Sequence, residues 1–187
     1  MATPKNLKIA TLTDVGIALF MTPVGQGSKF APDKIEGSII LTPKSKEKLQ
    51  VMMEKLVTDN AKELKYDATK ALYPFKEDLD RDKNPTGNFR LKCKTGIEYP
   101  PTYADAKGRN FKPEQGFVVP NGSKVRFAVT IVASSTAIYK GISCRLNGIQ
   151  ILSTPSTNVE FGAMDEGDYT YEAESVADVD DSWAVND

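Results

Sequence analysis

Histidine is absent from this 187-residue chain. That removes the commonest general base and a leading metal ligand together. Cysteine is nearly absent. Cys93 and Cys144 are separated by 50 residues rather than by the short spacing of a metal-binding pair, so they are expected as reduced core thiols. There is no Walker-type phosphate loop and no serine nucleophile elbow, which leaves nucleotide hydrolysis and acyl transfer without their usual machinery. The nearest approach to a metal loop is Asp78-x-Asp80-x-Asp82-x-Asn84. It carries Lys83 where a calcium loop needs glycine and Phe89 where it needs a bidentate glutamate, so it reads as a solvated loop. Scattered carboxylates such as Glu98 and Asp105 leave a two-metal nuclease to be tested by a magnesium-dependent assay. No apolar run approaches a membrane span, and the start Met1-Ala2-Thr3-Pro4-Lys5 lacks a signal-type apolar core. A cytosolic protein with no cofactor, no metal and no membrane association is expected, and an enzyme is not.

One further absence is local. Residues 160–187 contain no Lys or Arg but ten of the 25 acidic residues, giving this stretch a charge of −10. Residues 1–159 hold all 24 basic residues and 15 acids, a charge of +9, so the net charge of −1 conceals a basic body and an acidic tail. A block of like charge with little apolar surface cannot offset its ordering entropy and is expected to stay disordered. Such a tail can serve solubility alone. This one also carries Tyr169, Tyr171 and the only tryptophan, Trp183, among Asp178, Asp180 and Asp181. Rings of this kind anchor partners well, so Asp178, Asp180, Asp181 and Trp183 are the candidate partner-binding residues. A tethered polyanion beside a basic body suggests a mimic of the body's ligand, and points to nucleic acid.

The body has the size of one domain. Residues 7–12 and 16–21 read as a broken first strand, and residues 35–41 as its partner across a loop containing Gly25, Gly27 and Pro32. A helix follows, with Thr42 or Ser45 as cap, Pro43 at a first position, and Leu49, Met52, Met53, Leu56 and Leu64 as its apolar stripe. Residues 66–88 are polar and turn-rich and read as an insertion or mobile loop. Strict alternation then marks three strands. Residues 89–95 put Phe89, Leu91 and Cys93 inward and Arg90, Lys92 and Lys94 outward. Residues 124–133 put Val125, Phe127, Val129 and Ile131 inward and Lys124 and Arg126 outward. Residues 142–152 put Ile142, Cys144 and Leu146 inward and Arg145 outward, with Asn147-Gly148 expected to make a bulge before Ile149 and Ile151.

Lysines commonly do no more than solvate an outer face, but three cationic faces can converge on one surface if their strands are neighbours. Aromatics interleave with them: Tyr99, Tyr103 and Phe111 stand among Lys107, Arg109 and Lys112 over residues 99–112, and Tyr139 precedes Lys140. Rings that stack on bases beside cations that track phosphates are the composition of a single-strand groove. Phe111 and Phe117 are as suited to the core as to a platform, whereas Tyr99, Tyr103 and Tyr139 carry polar tips suited to the surface.

The broken strand, the run Leu41-Thr42-Pro43-Lys44, the helix, the Pro-Pro-x-Tyr-x-Asp segment at 100–105, and Tyr139-Lys140-Gly141-Ile142-Ser143 leading to Leu146-Asn147-Gly148-Ile149-Gln150 resemble the single-stranded DNA-binding proteins of tailed bacteriophages. The resemblance implies a mainly β chain: an elaborated OB-fold β-barrel with one main α-helix over residues 1–162, and a flexible acidic tail over 163–187. It implies coating of single strands in phage DNA replication and recombination, replication or recombination proteins as tail partners, and action in the cytoplasm of the infected bacterial host. A homodimer is left open. Some replication proteins of this kind end on an aromatic residue; here Ala184-Val185-Asn186-Asp187 follow Trp183. The alternative, from another class, is a phage structural or assembly protein that uses its barrel to oligomerise. The expected nucleic-acid-binding residues are Arg90, Lys92, Lys94, Tyr99, Tyr103, Lys107, Arg109, Lys112, Lys124, Arg126, Tyr139, Lys140 and Arg145.

Overall fold

A computed structural model describes residues 7–136 and 139–155. The acidic tail, with Asp178, Asp180, Asp181 and Trp183, lies outside the described residues, as does the boundary expected between 162 and 163.

The first strand breaks as its sequence predicts, into β1 (Lys8–Leu12) and β2 (Gly16–Leu19). The break is stitched to β8 (Lys124–Ser135) by buried Thr13, whose N–H donates to the Phe127 carbonyl at 2.9 Å and whose Oγ1 accepts the Phe127 N–H at 3.0 Å. β2 pairs with β3 (Lys34–Leu41), β3 with β5 (Pro85–Gly96), and β5 runs parallel to β9 (Lys140–Ser153). β9 returns antiparallel to β8, and β8 closes on β2. The five strands β2, β3, β5, β8 and β9 thus form a closed barrel ordered β2-β3-β5-β9-β8, the strand order of an OB fold.

Alternation fills the barrel. Phe127, Ile131, Leu91, Cys93, Ile142 and Leu146 are all buried, and the two free cysteines sit opposite each other where β5 meets β9. Side-chain contact with Cys144, together with burial, pushes the Cys93 thiol well above its ordinary range, so it stays protonated and inert. The register of β9 against β8 slips between Ala128 and Val129, which leaves Asn147 as the extra residue; the parity of β9 reverses there and Ile149 points inward.

Helix α1 (Pro43–Asp59) starts with Thr42 accepting the Ser45 N–H and Pro43 in the first turn. It buries Leu49, Met53, Leu56 and Val57 against β3, β5 and β8, and Leu64 follows in the short α2 (Ala61–Leu64). Asp14, in the break of the first strand, accepts from Ser45 Oγ and Lys48 Nζ at 2.9 and 2.8 Å and ties the helix start to the barrel.

Residues 66–88 are not an insertion without structure. Tyr66 is buried, and its hydroxyl donates to the Ser134 carbonyl at 3.0 Å. β4 (Phe75–Leu79) forms a hairpin with β5, which begins at Pro85 rather than at Phe89. The hairpin escapes sequence reading because both its faces meet solvent: of Phe75–Leu79 only Asp78 is buried, so no apolar alternation marks the strand. Two short strands, β6 (Thr102–Ala104) and β7 (Asn110–Phe111), extend the sheet beyond the far end of β9.

Candidate nucleic-acid interface

The outer face of β3 and β5 lies between two connections, the β2–β3 loop and the short β8–β9 turn. On it Arg90, Lys92 and Lys94 project in a row opposite Ile40, Ser38 and Glu36. Strand alternation alone puts them there, because Leu91, Cys93 and Thr95 are inside. A cleft of about 480 Å³ lies under the β2–β3 loop, walled by Phe20, Ser28, Phe30, Lys76, Arg90 and Lys92. A second, of about 490 Å³, shares Lys76 and Lys92 with it and continues to Tyr73, Phe75, Lys94 and Tyr139. A third, of about 270 Å³, shares Lys94 and adds Lys34 and Arg145. Shared walls make these one groove. It crosses the barrel where β5 parts from β4 and takes up β9, and Lys94 and Arg145 are direct register partners there.

The groove's cations are held differently. Arg90 donates through Nη2 to Asp78 at 2.9 Å and lies 5.2 Å from the centre of the Phe20 ring. Lys92 Nζ is 2.9 Å from Glu36 Oε1, and Ser28 Oγ donates to the other Glu36 oxygen at 3.0 Å. Burial raises the Glu36 carboxyl, but the hydrogen bonds from Lys92 and Ser28 outweigh it and the net shift is downward, so Glu36 is ionised at neutral pH. Lys76, Lys94 and Arg145 have no ion-pair partner among the described residues.

Two rings at the mouth of the first cleft stand out. Phe20 is 63% and Phe30 89% exposed, burial states at odds with their hydrophobicity. Phe20 follows β2 directly in the left-handed region, φ 52°, with its N–H bonded to Asn121 Oδ1 at 2.7 Å. A bulky residue seldom adopts that conformation, and it turns the ring out of the barrel and over Arg90. Lys29 Nζ lies 5.8 Å from the Phe30 ring centre. Sequence reading missed these residues: Phe20 fell inside an expected strand running to residue 21, and Lys29-Phe30 inside a loop judged by its glycines and proline. The available signal was an aromatic-basic pair in the loop joining the first two barrel strands, a loop that binds ligands in OB folds.

All the expected residues but Tyr103 separate into three groups. Arg90, Lys92, Lys94, Arg145 and Tyr139 line the groove; Lys140 flanks Tyr139, and exposed Tyr99 extends the same outer face, packing beside Gly96. Lys124 and Arg126 do not join them. They project from β8, which borders β2 and β9 rather than β3 or β5, and Arg126 Nε reaches back to the Thr13 carbonyl at 3.4 Å. Three basic faces converge only if their strands are neighbours; β5 meets β9 where Lys94 pairs with Arg145, whereas β8 meets β9 with Thr130 opposite Arg145, so Lys124 and Arg126 fall further along, opposite Ser153 and Gln150. Lys107, Arg109 and Lys112 ride on the β6–β7 hairpin at the other end of β9, with Arg109 paired to Asp105 at 2.6 Å.

Tyr103 corrects the expectation of a surface platform. It is 6% exposed, its ring packs against Phe111 and Phe117 at 6.1 and 6.0 Å, and burial pushes its phenol above the ordinary value. Its position on β6 opposite Ile149 explains this, since the bulge at Asn147 has already turned that face inward. The Asp78 loop also has a clear role: the Asp78 carboxylate faces Arg90 and Thr86, and Asp80 caps its own turn by accepting the Asp82 and Asn84 N–H groups at 2.8 Å.

No protein-family model and no curated protein matches the sequence. Solved structures do. The fold is similar to that of the single-stranded DNA-binding protein of bacteriophage Enc34 in a C-terminally truncated form, with TM-score 0.58 at 12% identity over 81% of this chain and 89% of that one. The same phage protein in complex with single-stranded DNA matches with TM-score 0.56 at 13% identity, over 81% of this chain and 89% of that one. The single-stranded DNA-binding protein encoded by bacteriophage T7 matches with TM-score 0.55 at 14% identity, covering 89% of this chain and 100% of that one. At such identities the likeness is one of fold, and it agrees with the barrel and helix described above.

Proposed function

We propose that this chain binds single-stranded DNA without sequence preference and without catalysis, and that it does so in the groove across β3 and β5. The observation that carries the reading is the groove itself: three adjoining clefts with Arg90, Lys92, Lys94 and Arg145 along them, Phe20 and Phe30 in the first and Tyr139 in the second. Cations at strand spacing suit a phosphate backbone, and rings at the margins suit unpaired bases, which a duplex does not offer. The barrel presents this channel on the face and loops that OB folds use for oligonucleotides, and proteins of similar fold are named for the same ligand. Its setting is phage DNA replication and recombination in the cytoplasm of an infected bacterium, as the sequence resemblance implies.

Fluorescence anisotropy with oligo-dT and with a matched duplex tests it. Binding should strongly favour the single strand. With roughly four phosphate contacts, log K should fall against log salt with a slope near −3, at about −0.7 per contact. Equal affinity for duplex and single strand would remove the groove's rationale.

The acidic tail is proposed to compete for the same cations and to recruit replication or recombination proteins through Asp178, Asp180, Asp181 and Trp183. A short flexible tether sets an effective concentration of millimolar order, enough for weak contacts to matter. Truncation after residue 162 should raise affinity for oligo-dT at low salt, and the gain should fade as salt screens tail from groove. Trp183→Ala should leave DNA affinity unchanged while weakening partner docking. Equal or weaker DNA binding by the truncated protein at low salt would leave the tail no competitive role.

A further inference from the structure

Two partly or fully buried carboxylates, Glu36 in the wall of the groove and Asp78 behind it, are each paired with a basic side chain that faces the ligand channel. On simple electrostatics both should oppose a polyanion alike. Their surroundings differ in a way that predicts opposite roles. Asp78 is 8% exposed at its side chain and holds an Arg90 that is itself only 28% exposed. Arg90 is fixed by Asp78 at one nitrogen and covered by the Phe20 ring at 5.2 Å, while its Nε is buried without a hydrogen-bond partner. Thr86 Oγ1 donates to the second Asp78 oxygen at 3.0 Å and completes the anchoring. That nitrogen has no exposed surface, so an anionic oxygen meets the part of the Arg90 side chain that stays open to the channel, where a charge-assisted hydrogen bond is strong.

Lys92 is the contrast. Its side chain is 56% exposed, it is a flexible point charge rather than a planar fork, and Glu36, 18% exposed, occupies the place beside it that a phosphate would take. Ser28 holds the far Glu36 oxygen, so the carboxylate stays in the channel when Lys92 swings away.

Resting on the single-strand reading above, we infer that Asp78 is a positioning residue that makes Arg90 a preformed phosphate seat, and that Glu36 is an internal anion which the incoming phosphate displaces from Lys92. The two differ in sign. Asp78→Asn and Glu36→Gln each remove one negative charge at the same groove without changing side-chain size, yet the first should weaken oligo-dT binding by about tenfold and the second should tighten it by about threefold. Salt dependence gives a readout that a purely structural role would not move. In Asp78→Asn the slope should become shallower by about 0.7 although the protein has gained positive charge, and in Glu36→Gln it should become steeper by a similar amount.

Arg90→Lys, which keeps the charge but loses the fork, should behave like Asp78→Asn. Melting of each variant identifies a folding defect. Should Asp78→Asn fail to fold, Thr86→Val, which alters no charge, should still lower affinity by about two- to threefold with the shallower slope. Tighter binding in both carboxylate variants, or an unchanged slope in Arg90→Lys, would overturn the inference while leaving single-strand binding by the unaltered protein intact. Absence of binding by the unaltered protein would overturn the underlying function instead.

Discussion

Joint replacement of Arg90, Lys92 and Lys94 by alanine should lower affinity for oligo-dT by about a hundredfold at 0.1 M salt. Each lost phosphate contact removes roughly 0.7 decades of affinity per tenfold of salt below 1 M, so three remove about two decades and flatten the slope by about 2. Leu91, Cys93 and Thr95 still hold the inner face of β5, so the fold should persist, but Arg90→Ala leaves the buried Asp78 carboxylate without its cation and should lower the melting temperature. The matched control is Lys124→Ala with Arg126→Ala. It removes two charges from β8 that line none of the three clefts, and should shift affinity by no more than about twofold, since exposed charges that touch no phosphate are largely screened at this salt. Equal losses from the two sets would mean that the whole basic body attracts DNA without using a channel.

Alanine at both Phe20 and Phe30 should cost about 2 to 6 kcal/mol of binding free energy and leave the salt slope unchanged, because stacking on a base contributes roughly 1 to 3 kcal/mol per ring and releases no counterions. Both rings are exposed at the mouth of the first cleft and neither belongs to the barrel core, so the melting temperature should hardly move. Anisotropy titrations at two salt concentrations separate the effects. A loss of affinity accompanied by a flatter slope would make these rings supports for the cations rather than platforms for bases.

The two experiments mark different kinds of information. Arg90, Lys92 and Lys94 were legible in the sequence because a strand has period two: once Leu91 and Cys93 are assigned to the core, the residues between them face out. The same rule placed Arg145 outward, and an Asn-Gly pair marked the bulge that reversed the inner face of β9 before Ile149. The helix was legible from Thr42, Pro43 and a stripe at helical spacing. Phe20 and Phe30 were not, because nothing local sets a ring at a strand end or in a loop toward solvent; that depends on the left-handed turn at Phe20 and the carbonyl oxygen that Asn121 brings from a distant loop. Tyr103 failed for the converse reason. Its polar tip suggested a surface site, and only the pairing of β6 with β9 put the ring against Phe111 and Phe117.

By itself, then, the sequence determined which side of each strand is basic, where the helix begins, that histidine-dependent chemistry is absent, and that the basic body carries an acidic tail. Only the tertiary structure decided which basic sides meet. Alternation is a property of one strand and fixes a side chain's direction relative to its own neighbours, whereas adjacency depends on pairings between residues far apart in the chain. The ring β2-β3-β5-β9-β8 joined the cations of β5 to Arg145, its register set those of β8 opposite the far end of β9, and the β4–β5 hairpin brought Asp78 to the back of Arg90. No local period encodes those choices, because they are set by the barrel that buries the most apolar surface while leaving every inner strand edge paired.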